Sequence, residues 1–293
     1  MKRSPISRFL LFLTALAAML SGCSGTLDSE SSRAETEQSA DAVTAELQVY
    51  CFQAGKADAF LFWNENGAVL IDTGESGFGK TILAKLQELG ITRLEALILT
   101  HFDKDHVGGA KKLLESVEIG TIYQSNCPKT GASAYEKYLA AVEALALEPV
   151  TVRTELEFSL GGTVFQINPP AAETYAEDAS NNSSLIVSVQ CGENRLLFTG
   201  DAEALRLEEL LAASPGRCDV IKMPHHGSWY AALPSLLELT KPAYAVITSS
   251  EEEPEDEETV LLLQQLGIQI LLTRSGPIRI DCGPEGLSVV QES

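Results

Sequence analysis

The chain has 293 residues, 45% of them hydrophobic, and a formal net charge of −20. That length and apolar content suffice for one sizeable core or two small ones. The acidic balance disfavours a long nucleic-acid track, yet leaves open a phosphoester substrate brought to a bound cation.

Lys2, Arg3 and Arg8 precede an apolar run from Phe9 to Leu20, which is too short for a membrane-spanning helix. The run ends in Leu20-Ser21-Gly22-Cys23, which resembles a bacterial lipoprotein signal. On that resemblance residues 1–23 are a signal peptide and Cys23 is the lipidated first residue of the mature chain. The protein is then lipid-anchored at the extracellular face of the cell membrane. Residues 24–46 are mostly Ser, Glu, Thr, Ala and Asp, a flexible acidic tether to a domain over 47–293. Five further cysteines (Cys51, Cys127, Cys191, Cys218, Cys282) lack C-x-x-C spacing, which argues against structural zinc and for burial as small hydrophobes.

From Leu47 the pattern turns to strands. Residues 47–52 and 60–63 are apolar and aromatic, Asn64-Glu65-Asn66-Gly67 is a hairpin signal, and Ala68 to Ile71 returns. Gly74-Glu75-Ser76-Gly77-Phe78-Gly79-Lys80-Thr81 satisfies the P-loop pattern, whose amides and lysine would cradle a nucleotide phosphate. An exported protein meets little nucleotide, and no later apolar strand ends directly in an Asp suited to Mg²⁺, so a nucleotide-binding protein ranks third among the readings. Lys80 to Leu89 has helical spacing, with Gly90 at its C-terminal cap.

The apolar strand Ala96 to Leu99 then delivers Thr100-His101-Phe102-Asp103-Lys104-Asp105-His106-Val107-Gly108-Gly109. Two imidazoles and two carboxylates within six residues are costly to crowd together without a compensating cation. A divalent metal is such a cation, since it takes deprotonated N and O donors. The competing reading is a solvated polar loop. Against it, the chain has four histidines, two here and two in the adjacent pair His225-His226.

Helices are expected after Gly109 through Leu114 and over Tyr135 to Leu147, and strands near 119–123, 150–153 and 163–167. A polar loop runs from Pro169 to Asn182. The second half repeats the scheme of buried strands ending in polar motifs: Ser184 to Val189, Leu196 to Asp201, then Asp219 to Pro224 leading into His225-His226-Gly227-Ser228. Further strands are expected at 243–247, 269–273, 278–281 and 287–290, and helices at 202–213, 233–239 and 258–266. Pattern alone supports an α/β or α+β class.

The ordered set of Asp58-Ala59, Asp72-Thr73-Gly74, the H-x-D-x-D-H motif, Asn181-Asn182-Ser183-Ser184, Thr199-Gly200-Asp201 and His225-His226-Gly227-Ser228 resembles the metallo-β-lactamase fold in its ComEC-like branch. Asp103 stands where many members carry a second histidine. The resemblance implies a four-layer αββα sandwich and a binuclear hydrolase with two divalent ions, Zn²⁺ or Mn²⁺. Carried over by position, Asp105, His106 and His225 resemble ligands of one ion, His101 and Asp103 of the other, and Asp201 the bridge. Asp105 would also orient the nucleophile, and His226 would handle a proton; the two adjacent histidines can be exchanged in these roles. Asn182 and Ser184 are candidate substrate contacts, with turn chemistry as the equal alternative. There is no histidine from Val107 to Pro224, so the family's remaining imidazole ligand has no counterpart. Oxygen-rich donors favour Mn²⁺ more than an all-imidazole set would. The expected function is a membrane-anchored, metal-dependent hydrolase of phosphoester bonds. Its rival is a non-catalytic binding lipoprotein with a degenerate metal site.

Overall fold

The computed structural model describes residues 47–283 and 286–292. The expected signal peptide, Cys23 and the expected tether therefore lie outside the described residues. In chain order the first half runs β1 (Leu47–Cys51), β2 (Phe60–Asn64), β3 (Gly67–Ile71), α1 (Gly79–Glu88), β4 (Arg93–Leu99), α2 (Lys104–Val107), α3 (Ala110–Leu114), β5 (Glu118–Gln124), α4 (Ser133–Ala144) and β6 (Val150–Thr151). The second half runs β7 (Leu156–Leu160), β8 (Thr163–Asn168), α5 (Ala179–Asn182), β9 (Ile186–Cys191), β10 (Asn194–Phe198), α6 (Ala204–Ala213), β11 (Val220–Lys222), α7 (Leu233–Thr240), β12 (Tyr244–Ile247), α8 (Glu257–Gln265), β13 (Gln269–Leu272), β14 (Ile278–Gly283) and β15 (Gly286–Gln291).

Two sheets result, in the strand orders β15-β14-β1-β2-β3-β4-β5-β6 and β13-β12-β11-β10-β9-β8-β7. Side chains alternate across each strand, so strands covered on both faces are apolar throughout. In β4, Ala96 and Ile98 enter the core between the sheets, while Leu97 and Leu99 pack outward with residues of α1, α3 and α4. In the second sheet, Leu196 and Phe198 of β10 point inward, and Leu197 faces the outer core with Leu207, Leu236 and Leu263 of α6, α7 and α8. The layers are helix, sheet, sheet, helix. Phe62 joins the two sheets, its ring 5.4 Å from Phe165 and 5.1 Å from Phe198. Burying each such side chain contributes about 1.5–3 kcal/mol. Cys51, Cys191 and Cys282 lie in this inter-sheet core and Cys218 in the outer one, as small hydrophobes.

Three elements depart from sequence expectation. α2 folds inside the metal motif, because the Asp103 carbonyl accepts from the amides of His106 and Val107. β7 pairs antiparallel with β8 although its exposed positions carry Glu157 and Ser159. It is an edge strand, buried on one face only, so the apolar signal is halved. α5 turns the end of the polar loop into one helical turn, too short to carry a period.

Candidate metal centre

The first sheet brings β3 and β4 in parallel, and the second brings β10, β11 and β12 in parallel. The candidate residues follow the C-terminal ends of these strands: Asp72 after β3, His101 to His106 after β4, Asp201 after β10, His225-His226 after β11 and Thr248 after β12. Asp58 arrives from the turn between β1 and β2. The Gly108-Gly109 pair lets this assembly close. A Cβ on either would collide with backbone of the 73–79 turn. The Gly109 amide donates to Gly74 O at 3.2 Å, and the Thr73 hydroxyl donates to His106 O at 2.7 Å.

Asp105, His106, Asp201 and His226 each offer a donor atom, all within 4.8 Å of one another. Asp201 Oδ2 lies 3.0 Å from both His106 Nε2 and His226 Nε2, and Asp105 Oδ2 lies 3.4 Å from His226 Nε2. Hydrogen bonds at the far side of each ring aim these nitrogens. The Thr100 amide and hydroxyl both donate to Asp72, at 2.8 and 2.6 Å, and Asp72 Oδ2 faces His106 Nδ1 at 2.8 Å. The Thr248 hydroxyl donates to Asp58 at 2.7 Å and so accepts from His226 Nδ1–H at 2.9 Å. The Nδ1 protons are thereby fixed, and each Nε2 is the nitrogen turned toward Asp201. The Nε2 atoms of His101, His106 and His226 are buried without a hydrogen-bond partner. A lone pair 3.0 Å from a carboxylate oxygen needs a proton or a cation between them, which is the donor set a divalent ion takes.

Sequence position assigned His225 to the ion and His226 to the second rank; the geometry exchanges them. His225 Nδ1 instead meets the Tyr230 hydroxyl at 2.6 Å and Glu203 Oε1 at 3.2 Å, outside the four-donor group. Its backbone explains the exchange. His225, His226 and Gly227 all adopt positive φ, at 40°, 56° and 84°. That left-handed turn swings the second imidazole, not the first, toward Asp201. Left-handed backbone at non-glycine residues costs roughly 1–3 kcal/mol each. Asp72, with φ of 55°, carries the same cost.

The second expected position does not assemble. His101 Nε2 is 3.8 Å from Asp103 Oδ1, and neither residue joins a group of three donors among the described residues. Asn182 and Ser184 are turned inward. Asn182 Nδ2 donates to Glu177 O at 3.1 Å, and its Oδ1 accepts from the Arg206 amide at 3.0 Å. Ser184 Oγ accepts from the Asp201 amide at 3.1 Å. Asn181 is the residue of this segment that faces the site, donating to Glu203 at 2.7 Å.

Sequence reasoning missed Lys222, Arg206 and the roles of Asp58 and Asp72. Lys222 is wholly buried, with Nζ 2.6 Å from Asp58 Oδ2, 3.2 Å from Asp201 Oδ1 and 2.9 Å from Gly200 O. A lysine inside the run Val220-Ile221-Lys222-Met223 was the available signal, because a buried ammonium demands carboxylate partners. Arg206, also buried, donates to Ser184 O at 3.0 Å and to Asn168 O at 2.7 Å, pinning the Asn-Ser segment.

The charges are strongly coupled. Burial pulls the Lys222 ammonium pKa down, and Asp58 and Asp201 more than reverse it. Burial raises Asp201, but His106, His226 and Lys222 hold it well below the carboxylate range. His101 is lowered to about 3 by burial and by its neighbour His106. Burial pushes Glu203 up to about 7.

The P-loop-like stretch forms no phosphate cradle. The amides of Gly74, Phe78, Lys80 and Thr81 already donate to Asp58, Glu75, Gly77 and Phe78 carbonyls, and Lys80 is exposed.

The family model "Metallo-beta-lactamase superfamily" matches residues 53–249. The chain belongs to that superfamily. Among its relatives, Recombination protein 2 of Haemophilus influenzae is 33% identical over 69% of this chain and 24% of that protein. ComE operon protein 3 of Bacillus subtilis is 29% identical over 79% and 32%. The chain thus spans about a quarter to a third of these relatives, which are consistent with a ComEC-like branch. The metallo-beta-lactamase fold protein YhfI from Bacillus subtilis superposes with a TM-score of 0.54 at 11% identity, covering 78% of this chain and 95% of that one, a likeness of fold.

Proposed function

We propose that this superfamily member is a metal-dependent hydrolase of phosphoester bonds, held by a lipid on Cys23 at the extracellular face of the cell membrane. The carrying observation is the pair of orphaned Nε2 atoms, on His106 and His226, facing Asp201 at 3.0 Å inside a buried four-donor group. Asp105, His106, Asp201 and His226 would hold the ion, Zn²⁺ or Mn²⁺, and a bound ion supplies Lewis acidity to an ester and to an attacking water. The chain's own groups do the rest. Asp105, one-fifth exposed where the other three donors are buried, stands at the open side and orients the attacking water. Asn181, His225, Glu203 and Tyr230 form a polar wall beside Asp201 that can hydrogen-bond a leaving oxygen.

A phosphoester fits the kinship with Recombination protein 2. The net charge of −20 points to short substrates rather than long duplexes. The test uses the full chain in detergent, assayed on phosphomonoesters, phosphodiesters and β-lactams with Mn²⁺ or Zn²⁺. Phosphodiester turnover that vanishes with chelator and in Asp201→Asn is expected. Metal-independent turnover, or none on any ester, would overturn the reading. For the anchor, Cys23→Ser should move the protein from the membrane to the soluble fraction, and an unchanged fractionation would refute it. A second reading, a binding lipoprotein, is favoured by the unassembled pair His101 and Asp103. Metal binding without turnover would select it.

A further inference from the structure

Asp103 stands where the family pattern has a histidine, and its carboxylate is already engaged. Oδ1 accepts from the Ser180 hydroxyl and forms an ion pair with the Lys129 ammonium. This is the same oxygen that faces His101 Nε2. Lys129 comes from the loop between β5 and α4, and that loop is tied down. Ser125 Oγ donates to Ser183 O at 2.7 Å, the Gly131 amide donates to Glu136 at 2.9 Å, and the Ala132 amide donates to Lys129 O at 3.1 Å. Ser180, on α5, donates to the same oxygen that pairs with Lys129.

We propose that the Lys129 ammonium takes the seat of a second cation, so that the centre holds one divalent ion per chain. The inference rests on the preceding reading of Asp105, His106, Asp201 and His226 as the seat of that ion. A second divalent ion would have His101 and Asp103 as protein donors, with the Asp103 oxygen already held by the Lys129 ammonium. It would also displace or face a positive charge. The ammonium delivers one charge where a metal delivers two, and it has three N–H donors. With one spent on Asp103, two remain for an anionic oxygen entering from the open side, since Lys129 is 37% exposed. Lys129 is thus a specificity-determining residue toward anionic esters, acting by charge and direct contact. The chain has no histidine between Val107 and Pro224 to make the alternative, a third imidazole.

The experiment loads the full chain with Mn²⁺, removes excess metal by gel filtration, and measures manganese per chain alongside electron paramagnetic resonance. Wild type should carry one ion with the six-line spectrum of an isolated Mn²⁺. Lys129→Met and Lys129→Gln should take up a second ion at raised Mn²⁺, with a spin-coupled spectrum. Adding Asp103→Asn to either should return the count to one. Two ions in wild type overturn this inference alone, as does a count of one in wild type and both lysine variants. No ion in any variant overturns the hydrolase reading and this inference with it.

Discussion

Lys222→Met is the sharpest perturbation of the centre. The substitution keeps most of the stem volume and removes the ammonium, leaving Asp58 and Asp201 buried without their shared cation. Three contacts are lost, at 2.6, 3.2 and 2.9 Å, the last to Gly200 O. Removing one partner of a buried ion pair costs about 3–5 kcal/mol, because the remaining charge stays desolvated. Two carboxylates share this lysine, so the upper half of that range is expected. Urea unfolding of the metal-free chain measures it. Lys222→Met combined with Asp58→Asn should recover about half of the loss, because the nearer carboxylate is then neutral. A cost below about 1 kcal/mol for the single variant, or no recovery in the double, would refute the reasoning that Lys222 offsets the buried charge of Asp58 and Asp201.

Three further outcomes follow from the geometry. His226→Ala should lower divalent-ion affinity at least tenfold by isothermal titration, while His225→Ala leaves it within about threefold, a gap of at least about 0.7 kcal/mol; the reverse order would restore the assignment made from sequence position. Arg206→Met should destabilise by about 3 kcal/mol, since Asn168 O and Ser184 O lose charged donors, and differential scanning calorimetry reads it. His101 has a depressed pKa, so it contributes stability that is present above its unfolded value of 6.5 and lost as pH falls toward about 3. Wild type minus His101→Gln, measured by urea titration from pH 7 to pH 4, should therefore shrink as the solution is acidified, and a difference that grows would contradict the sign.

The site was legible where chemistry is written in short runs. Asp105, His106 and Asp201, which the fold gathers into one donor group, stood out because the strand before each motif is apolar and the motif is not, whereas His101 and Asp103 carry the same signal and join no such group among the described residues. Asn182 and Ser184 were harder to place, because an Asn-Asn-Ser-Ser run reads alike whether it faces substrate or caps a turn. In the fold the Arg206 backbone amide and guanidinium take Asn182 Oδ1 and Ser184 O.

The sequence pattern by itself determined an α/β or α+β class, since runs such as Ala96 to Leu99 are apolar on both faces, as in a sheet covered twice, and the resemblance of its ordered motifs implied the αββα sandwich. It also marked the two histidine motifs as candidate metal donors, because such crowded groups are costly without a compensating cation, and the fold brings Asp105, His106, Asp201 and His226 together. Only the tertiary structure decided which imidazole points at Asp201, and that Lys129 and Lys222 carry charge into the centre. Local pattern encodes which face of a strand is buried. It does not encode the left-handed turn at His225-His226, nor which loop, some 26 residues after Asp103, returns a lysine to it. Those are set by how two sheets close on one another, where long-range contacts override what neighbouring residues prefer.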